Sequence, residues 1–423
     1  MLEWIRASIG ALPPVASIIL SVALMLMCGF LMTRLTKRLK LPNVTAYIVT
    51  GILLGPFCLN LISPSIVDGT EFLPDIALAF IAFSTGEFFR LSVLKKNGLR
   101  VVVITLFEAL TATVAVFVLT YFVLHLDLAF SVVLAALASA TAPASTLMTI
   151  RQTKAKGDFV DTLLQVVALD DIVGLVAYSI AISMALASIS GNGFRVTDVA
   201  FPILKNLGVL ALGGAFGFLM KWMIQKRRSD DNRLIIAIAF LFSFCGVCAL
   251  LELSPLLGCM SMGTVYINVT GDDKLFKQLN YFSPPILLLF FVRSGVSFDL
   301  NALIRPSGAV GAMPLLLIGI LYFFMRIAGK YAGAFLGCLW TKKEKKVSNY
   351  LGLALIPQAG VAIGLAALGA RTLGGEAGNA LQTIILASSV LYELIGPVCA
   401  KLSLQLSGSY SDKIEDLVPV EEV

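Results

Sequence analysis

Apolar residues run along this chain in blocks of about twenty, separated by short polar stretches, from Val15 to Leu406. A block of that length is what an α-helix needs to cross the roughly 30 Å of bilayer hydrocarbon. Inside hydrocarbon each backbone N–H and C=O must find its partner within the chain, so such blocks become helices rather than open strands. The pattern predicts thirteen membrane-spanning segments, near 14–34, 42–60, 73–92, 99–124, 128–150, 158–188, 200–222, 232–252, 255–270, 282–299, 308–340, 347–370 and 377–406. The fold class expected is an all-α polytopic membrane protein. The opening stretch MLEWIRASIGALPP lacks a basic region leading into a cleavable apolar core, and reads as a short helix or arm before the first span.

Only 14% of the residues are charged, against roughly 25% in soluble domains, which leaves no room for a soluble domain. The acidic tail from Gly408 is short. The basic residues test the segment count independently. Loops on one side hold 24 Lys and Arg, and loops on the other hold Arg6, Arg195, Lys205, Arg305 and Arg371. The positive-inside rule therefore puts the N-terminus outside and the C-terminus in the cytoplasm. A multi-pass protein of the cytoplasmic membrane is expected. The net charge of +6 follows from the cytoplasmic loops and suits an anionic inner leaflet. Nothing in it points to nucleic acid.

The two halves of the chain echo each other. FSTGEFFRL (83–91) in the third segment resembles VRSGVSFDL (292–300) in the tenth, with Gly86 over Gly295. LPNVTAYIVTGILLGP in the second resembles SPLLGCMSMGTVYIN in the ninth. LDDIVG (169–174) in the sixth matches YELIG (392–396) in the thirteenth, with Asp171 over Glu393 and Gly174 over Gly396. Seven segments separate each pair, an odd number, so the copies are inverted in the membrane. Inverted repeats are characteristic of secondary transporters.

Charged residues inside such segments each cost about 2.5–3.5 kcal/mol on insertion scales, so they need a reason. Asp170 and Asp171 lie 14 and 15 residues beyond Lys156, about 21–22 Å along a helix and too deep to reach water. Adjacent helical positions point about 100° apart, so one carboxylate is free to face a neighbouring helix while the other faces a different partner. Lys330 is twelve residues from Lys342, about 18 Å of helix, and requires a buried acid; Asp170 is the choice. Arg326, one turn earlier, is paired with Glu393 or another acid, in a second layer around the site. The fifth and twelfth segments, at repeat-related positions, carry ASATAPASTLMTIRQ and LGLALIPQAGVAIG. Pro143 and Pro357 each remove a donor and free the carbonyl four residues back, at Ser139 and Leu353. Thr141, Ser145 and Thr146 surround the first break with hydroxyls. Two broken helices meeting at mid-membrane can hold ions, although an ordinary proline kink gives the same local sequence.

Other groups draw structural readings. The seven cysteines are scattered through apolar segments; the Cys245-x-x-Cys248 pair has no second ligand pair, so zinc or redox use is not expected. His125, the only histidine, sits in a short loop. Arg293 and Glu87 are assigned interface or structural roles, Glu108 and Glu252 none, and Gly213, Gly214 and Gly217 close helix packing. An ion channel would use the same broken helices without coupling two ions. An intramembrane aspartyl protease would need its two acids on different helices. A primary pump would need a phosphate loop, and no G-x-x-x-x-G-K-[ST] is present. A carrier for organic anions would expose basic residues such as Arg326 and Lys330. An enzyme is not expected.

Taken together, KLPNVTAYIVTGILLGP, ATAPAS, LDDIVG, GCMSMGTVY, AGKYAGAFLG, LIPQAGVAIG and LYELIGP resemble the monovalent cation:proton antiporter-2 family, the Na+/H+ and Kef-type exchangers. The resemblance covers nearly the whole chain. Its short ends are similar to the sodium-type branch, since Kef-type systems add a soluble regulatory domain. The family implies a Na+/H+ antiporter-like elevator fold with crossing broken helices, working as a homodimer without a cofactor. In that pattern 1–92 and 232–300 form the dimerisation layer, 99–190 and 307–407 the moving core, 197–225 a connecting helix and 408–423 a cytoplasmic tail. Asp171 matches the cation- and proton-binding aspartate, Asp170 its lysine-paired neighbour with Lys330, and Thr141 a cation ligand alongside Asp171. Ser139, Ala142, Pro143, Ser145, Pro357 and Gln358 match the crossing, with Arg326 and Glu393 behind it. The double aspartate implies electrogenic exchange of two protons for one Na+. Some relatives carry an acid where Ala142 stands here, which leaves Na+, K+ and Li+ open, and a K+/H+ antiporter or an uncoupled channel as alternatives.

Overall fold

The computed structural model describes residues 13–38, 43–91, 98–142, 146, 149–150, 153–189, 197–225, 228–251, 253–298 and 313–410. The predicted N-terminal arm, Glu252, Pro143, Ser145 and the end of the acidic tail lie outside them. In chain order the helices are α1 (Pro14–Arg38), α2 (Asn43–Leu54), α3 (Pro64–Gly69), α4 (Leu73–Thr85), α5 (Leu99–Phe117), α6 (Leu128–Leu137), α7 (Asp158–Ile189) and α8 (Thr197–Met223). They continue with α9 (Asp230–Leu250), α10 (Leu256–Thr270), α11 (Asp273–Phe282), α12 (Pro284–Val296), α13 (Leu315–Trp340), α14 (Lys345–Ala354), α15 (Gly360–Leu373) and α16 (Gly375–Leu406).

The fold is an all-helical membrane fold, and each of the thirteen predicted segments contains a helix. Among the described residues seven helices are long and apolar enough to cross a bilayer, and α11 with α12, bent by 48°, makes an eighth. Four further apolar helices, α2, α6, α10 and α15, are shorter than a bilayer is thick. Their ends are set locally. Asp127 caps α6 by accepting from the backbone N–H groups of Ala129 and Phe130. Gly271, at φ +62°, closes α10 with a left-handed turn that favours glycine.

The helices pack as two sets, bridged where α7 meets α8 and where α15 meets α4. One joins α2 with α12, α4 with α10, and α8 with α10; the other joins α5 with α13, α6 with α7, and α14 and α15 with α16. In the first set backbones touch through glycines. A Cβ on Gly86 would meet Met260 O and the Thr264 N–H of α10, and a Cβ on Gly295 would overlap Ile48 O and Gly51 of α2. These are the two glycines that the repeat superposes, each at the crossing of corresponding helix pairs. Gly213 and Gly217 of α8 meet Gly258 and Met262 of α10 in the same way. Arg293 of α12 plays a structural part. Its guanidinium donates to Val67 O (2.9 Å) and Thr70 Oγ1 (3.1 Å), satisfying the end of α3.

Candidate functional site

Two helices stop in the interior of the helical bundle and face each other. α6 ends at Leu137, and residues 138–142 continue as unwound chain. α14 ends at Ala354, and α15 begins at Gly360. The strands between meet where Ala142 N–H donates to Pro357 O at 2.9 Å. Two helix C-termini there present carbonyls that carry the negative end of the helix dipole and have no partner within their own helix.

Side chains satisfy them. Arg326, wholly buried on α13, spreads three nitrogens over both breaks: Nε to Ala138 O (2.9 Å), Nη2 to Ala140 O (2.6 Å) and Nη1 to Ile356 O (2.7 Å). The rigid five-donor fork of arginine suits this bridging. Its cation also lies 4.5 Å from the centroid of the Tyr392 ring. Gln358 Nε2 donates to Leu137 O at 2.6 Å, and its Oε1 accepts from Tyr322 Oη at 3.3 Å. Arg326 thus braces backbone, a different role from the acid pairing that its sequence position suggests; orphan carbonyls of like polarity compete for a buried cation as an acid does. Glu393 is buried on α16 beside Tyr392.

Lys330 completes the arrangement one helical turn on. Its ammonium donates to Ser139 O, the carbonyl four residues before Pro143, to Thr141 Oγ1 (2.9 Å) and to Asp170 Oδ2 (2.7 Å). Thr141 in turn donates to Asp170 Oδ2 at 2.5 Å. Lysine, threonine and aspartate, from three separate segments, close a ring at the break, and all are at most 1% exposed. Asp170 therefore makes both contacts, with the neighbouring helix and with the unwound chain, which helical spacing alone divides between the two aspartates. Asp171 is 3% exposed, and its Oδ1, like Asp170 Oδ1, has no hydrogen-bond partner among the described residues. Ser139 and Ala142 lie in the unwound strand and Pro357 opposite.

The glycines of the repeated motifs face this point. A Cβ on Gly174 of α7 would meet Ser139 Oγ at 2.9 Å, and one on Gly396 of α16 would meet Pro357 at 2.7 Å. Each packs a long helix against one break. A cavity of about 560 Å³ lies further along α7, lined by Tyr178, Ser179 and Ser183, by Lys205 and Asn206 of α8, and by Arg371. Arg371 bonds Asp75 Oδ2 (3.2 Å) and Glu71 O, joining α15 to α4.

The structure brings in one acid to which sequence pattern assigns no role. Glu108 of α5, wholly buried, places Oε2 2.8 Å from Lys330 Nζ. The criterion of depth that singles out Asp170 applies to Glu108 as well. Among the described residues no group of three or more His, Cys, Asp or Glu is arranged to hold a resident metal, and the described cysteines are free thiols.

Residues 22–401 match the family described as sodium/hydrogen exchanger, transmembrane. The chain belongs to that family. Membership makes it one of the cation/proton antiporters. Similar proteins include the iron transporter MagA of Paramagnetospirillum magneticum, 26% identical over 67% of this chain and 64% of its own, so the chain spans about two thirds of that relative's length. The ammonium/H+ antiporter subunit AmhT of Alkalihalophilus pseudofirmus is 22% identical over 84% of this chain and 87% of its own. The probable Na+/H+ antiporter 3 of Methanocaldococcus jannaschii is 22% identical over 88% and 93%. The fold is that of the solved sodium proton antiporter MjNhaP1 from the same archaeon, at TM-score 0.74 and 19% identity, covering 93% of this chain and 99% of that one.

Proposed function

We propose that this antiporter exchanges protons for a monovalent cation, Na+ first, at a site centred on Asp171. The observation that carries the reading is the pair of buried carboxylate oxygens, Asp170 Oδ1 and Asp171 Oδ1, beside an unwound, hydroxyl-bearing crossing. A carboxylate in that setting is too costly to leave bare, so it holds either a cation or a proton. The two ligands exclude each other, and coupling follows if the empty, charged site crosses the membrane reluctantly. Lys330 balances Asp170 while the site is empty, so Asp171 is the acid that alternates between cation and proton, and Asp170 joins the cation's shell once it arrives. Thr141 and the unwound carbonyls supply neutral oxygens of the kind a hard cation prefers.

In this reading 99–190 and 307–407 move as the transport core, an elevator against the stationary layer 1–92 and 232–300, with 197–225 connecting them. The two packing sets support it. The stationary layer forms the homodimer, the protein lies in the cytoplasmic membrane with its N-terminus outside, and the double aspartate makes exchange electrogenic. The cavity beside Tyr178, two helical turns or about 10 Å from Asp171, serves as the outer approach. The names of the relatives favour testing ammonium beside Na+, K+ and Li+.

The experiment is proton flux in proteoliposomes of the full chain on adding each cation, with and without a clamp on membrane potential. Proton movement triggered by Na+ and sensitive to the clamp is expected. Proton movement triggered by K+ or ammonium alone would reassign the cargo, and cation flux without proton flux would replace exchange by a channel.

A further inference from the structure

Lys330 has more acceptors than protons. An ammonium carries three N–H groups. Ser139 O, Thr141 Oγ1 and Asp170 Oδ2 take all three. Glu108 Oε2 nevertheless stands 2.8 Å from the same nitrogen as an ion-pair partner, and its Oε1 has no hydrogen-bond partner among the described residues. A fourth acceptor, wholly buried and within reach, is costly to leave unused.

Its position is built rather than incidental. Gly329, Gly333 and Gly337 form a stripe on α13 that lets α5 approach backbone to backbone. A Cβ on Gly333 would overlap Phe107 O and come within 2.6 Å of Glu108 Cα. The repeat adds a second, independent observation. Glu108 and Lys330 are 222 residues apart, the same separation as Asp171 and Glu393 or Gly174 and Gly396. Acid and base hold equivalent positions in the two repeats, and the helices that carry them, α5 and α13, pack directly against each other.

We propose that Glu108 is the spare acceptor of Lys330: when an incoming cation engages Asp170 and Thr141, the lysine N–H groups they release turn to Glu108. This rests on the antiport reading and deepens it. Without Glu108, the cation would have to strip Lys330 of its acid partner in the dry interior, and Asp170 would be held too tightly to take part. Glu108 is a positioning residue, since it acts on the cation site through Lys330. Bond exchange at a fixed ammonium needs only rotation about the Nζ axis and a short swing of the side chain, while the cation replaces the lost donors at Asp170.

The test is cation-driven proton flux by the full chain in proteoliposomes, comparing wild type, Glu108→Gln and Glu108→Asp over a cation titration. Glu108→Gln is expected to raise KM about tenfold, as loss of a charge-assisted bond does, and to leave the maximal rate within about twofold. Glu108→Asp keeps the carboxyl but shortens the reach, so its KM should lie between the two. If Glu108→Gln does not fold, the raised KM of Glu108→Asp carries the test. Cation-dependent thermal stabilisation of each purified variant gives the same ranking without transport. An unchanged KM in Glu108→Gln, a fall in maximal rate alone, or a wild-type KM in Glu108→Asp would overturn the proposal. Absence of exchange by the wild type would instead defeat the antiport reading.

Discussion

Lys330 and Arg233 are both cations held by acids, yet their settings differ in kind. Arg233 joins α9 to Asp272 at the end of α10, and Asp272 also accepts from Tyr266 Oη at 2.6 Å. Around it Arg90 meets Asp273, and Lys274 meets Asp230 at 2.8 Å with both side chains more than half exposed. Each of these bases has one acid; the Arg90 and Lys274 pairs are open to screening by water, while the Arg233 pair is largely covered but matched one to one. Lys330 sits among two buried acids, a threonine and a bare carbonyl, with 0% exposure. The rim network is balanced and serves as a staple. The buried network is unbalanced in its groups, two acids to one lysine, and a bound cation or proton would settle the difference.

That contrast can be broken most severely at Lys330. Lys330→Met would leave Asp170 and Glu108 facing each other without a cation. Breaking a buried pair from one side costs about 3–5 kcal/mol, so a large drop in thermal stability with loss of exchange is expected. A wild-type unfolding temperature would show that the acids are already neutral or hydrated.

Gly333→Ala comes next. Its new methyl has backbone of α5 in its way, which must shift, and overpacking of that kind costs about 1–3 kcal/mol. Because α5 carries Glu108, the variant should also raise the KM for the cation. Destabilisation with an unaltered KM would separate packing from the site.

The smallest effect is expected at the rim. Burial tends to raise the Asp272 carboxyl, but hydrogen bonds from Tyr266 and Arg233 and the charge of Arg233 hold it below the ordinary aspartate value. A folded-state value below the unfolded one, which is about 3.9, means stabilisation that is complete above that pH and lost as pH falls through the folded value. Wild type should therefore melt slightly above Asp272→Asn at neutral pH, with the gap closing in acid. A gap that widens on acidification would have the sign wrong.

The all-helical membrane fold is legible in the sequence because blocks of apolar residues recur, and candidate site residues are legible because intramembrane charge, proline and glycine stand out against that background. Asp170, Asp171, Lys330 and both proline breaks stand out on that basis, and the structure gathers Asp170, Lys330, Thr141 and Ser139 at one point. Two things are not legible. The carbonyl targets of Arg326 depend on where the chain unwinds, which residue types do not encode. The nearness of Glu108 depends on a glycine stripe on a helix more than 200 positions away. Both are properties of packing, and pattern along a single helix carries no record of its neighbour.

The central claim is that Asp171 is the acid that exchanges cation for proton. It is tested most directly by cation-driven proton flux through Asp171→Asn in proteoliposomes, beside wild type at equal incorporation. The amide keeps the shape of the side chain but cannot alternate between charge and proton, so exchange should fall to the level of empty liposomes while the protein remains folded. Full exchange by that variant would contradict the account.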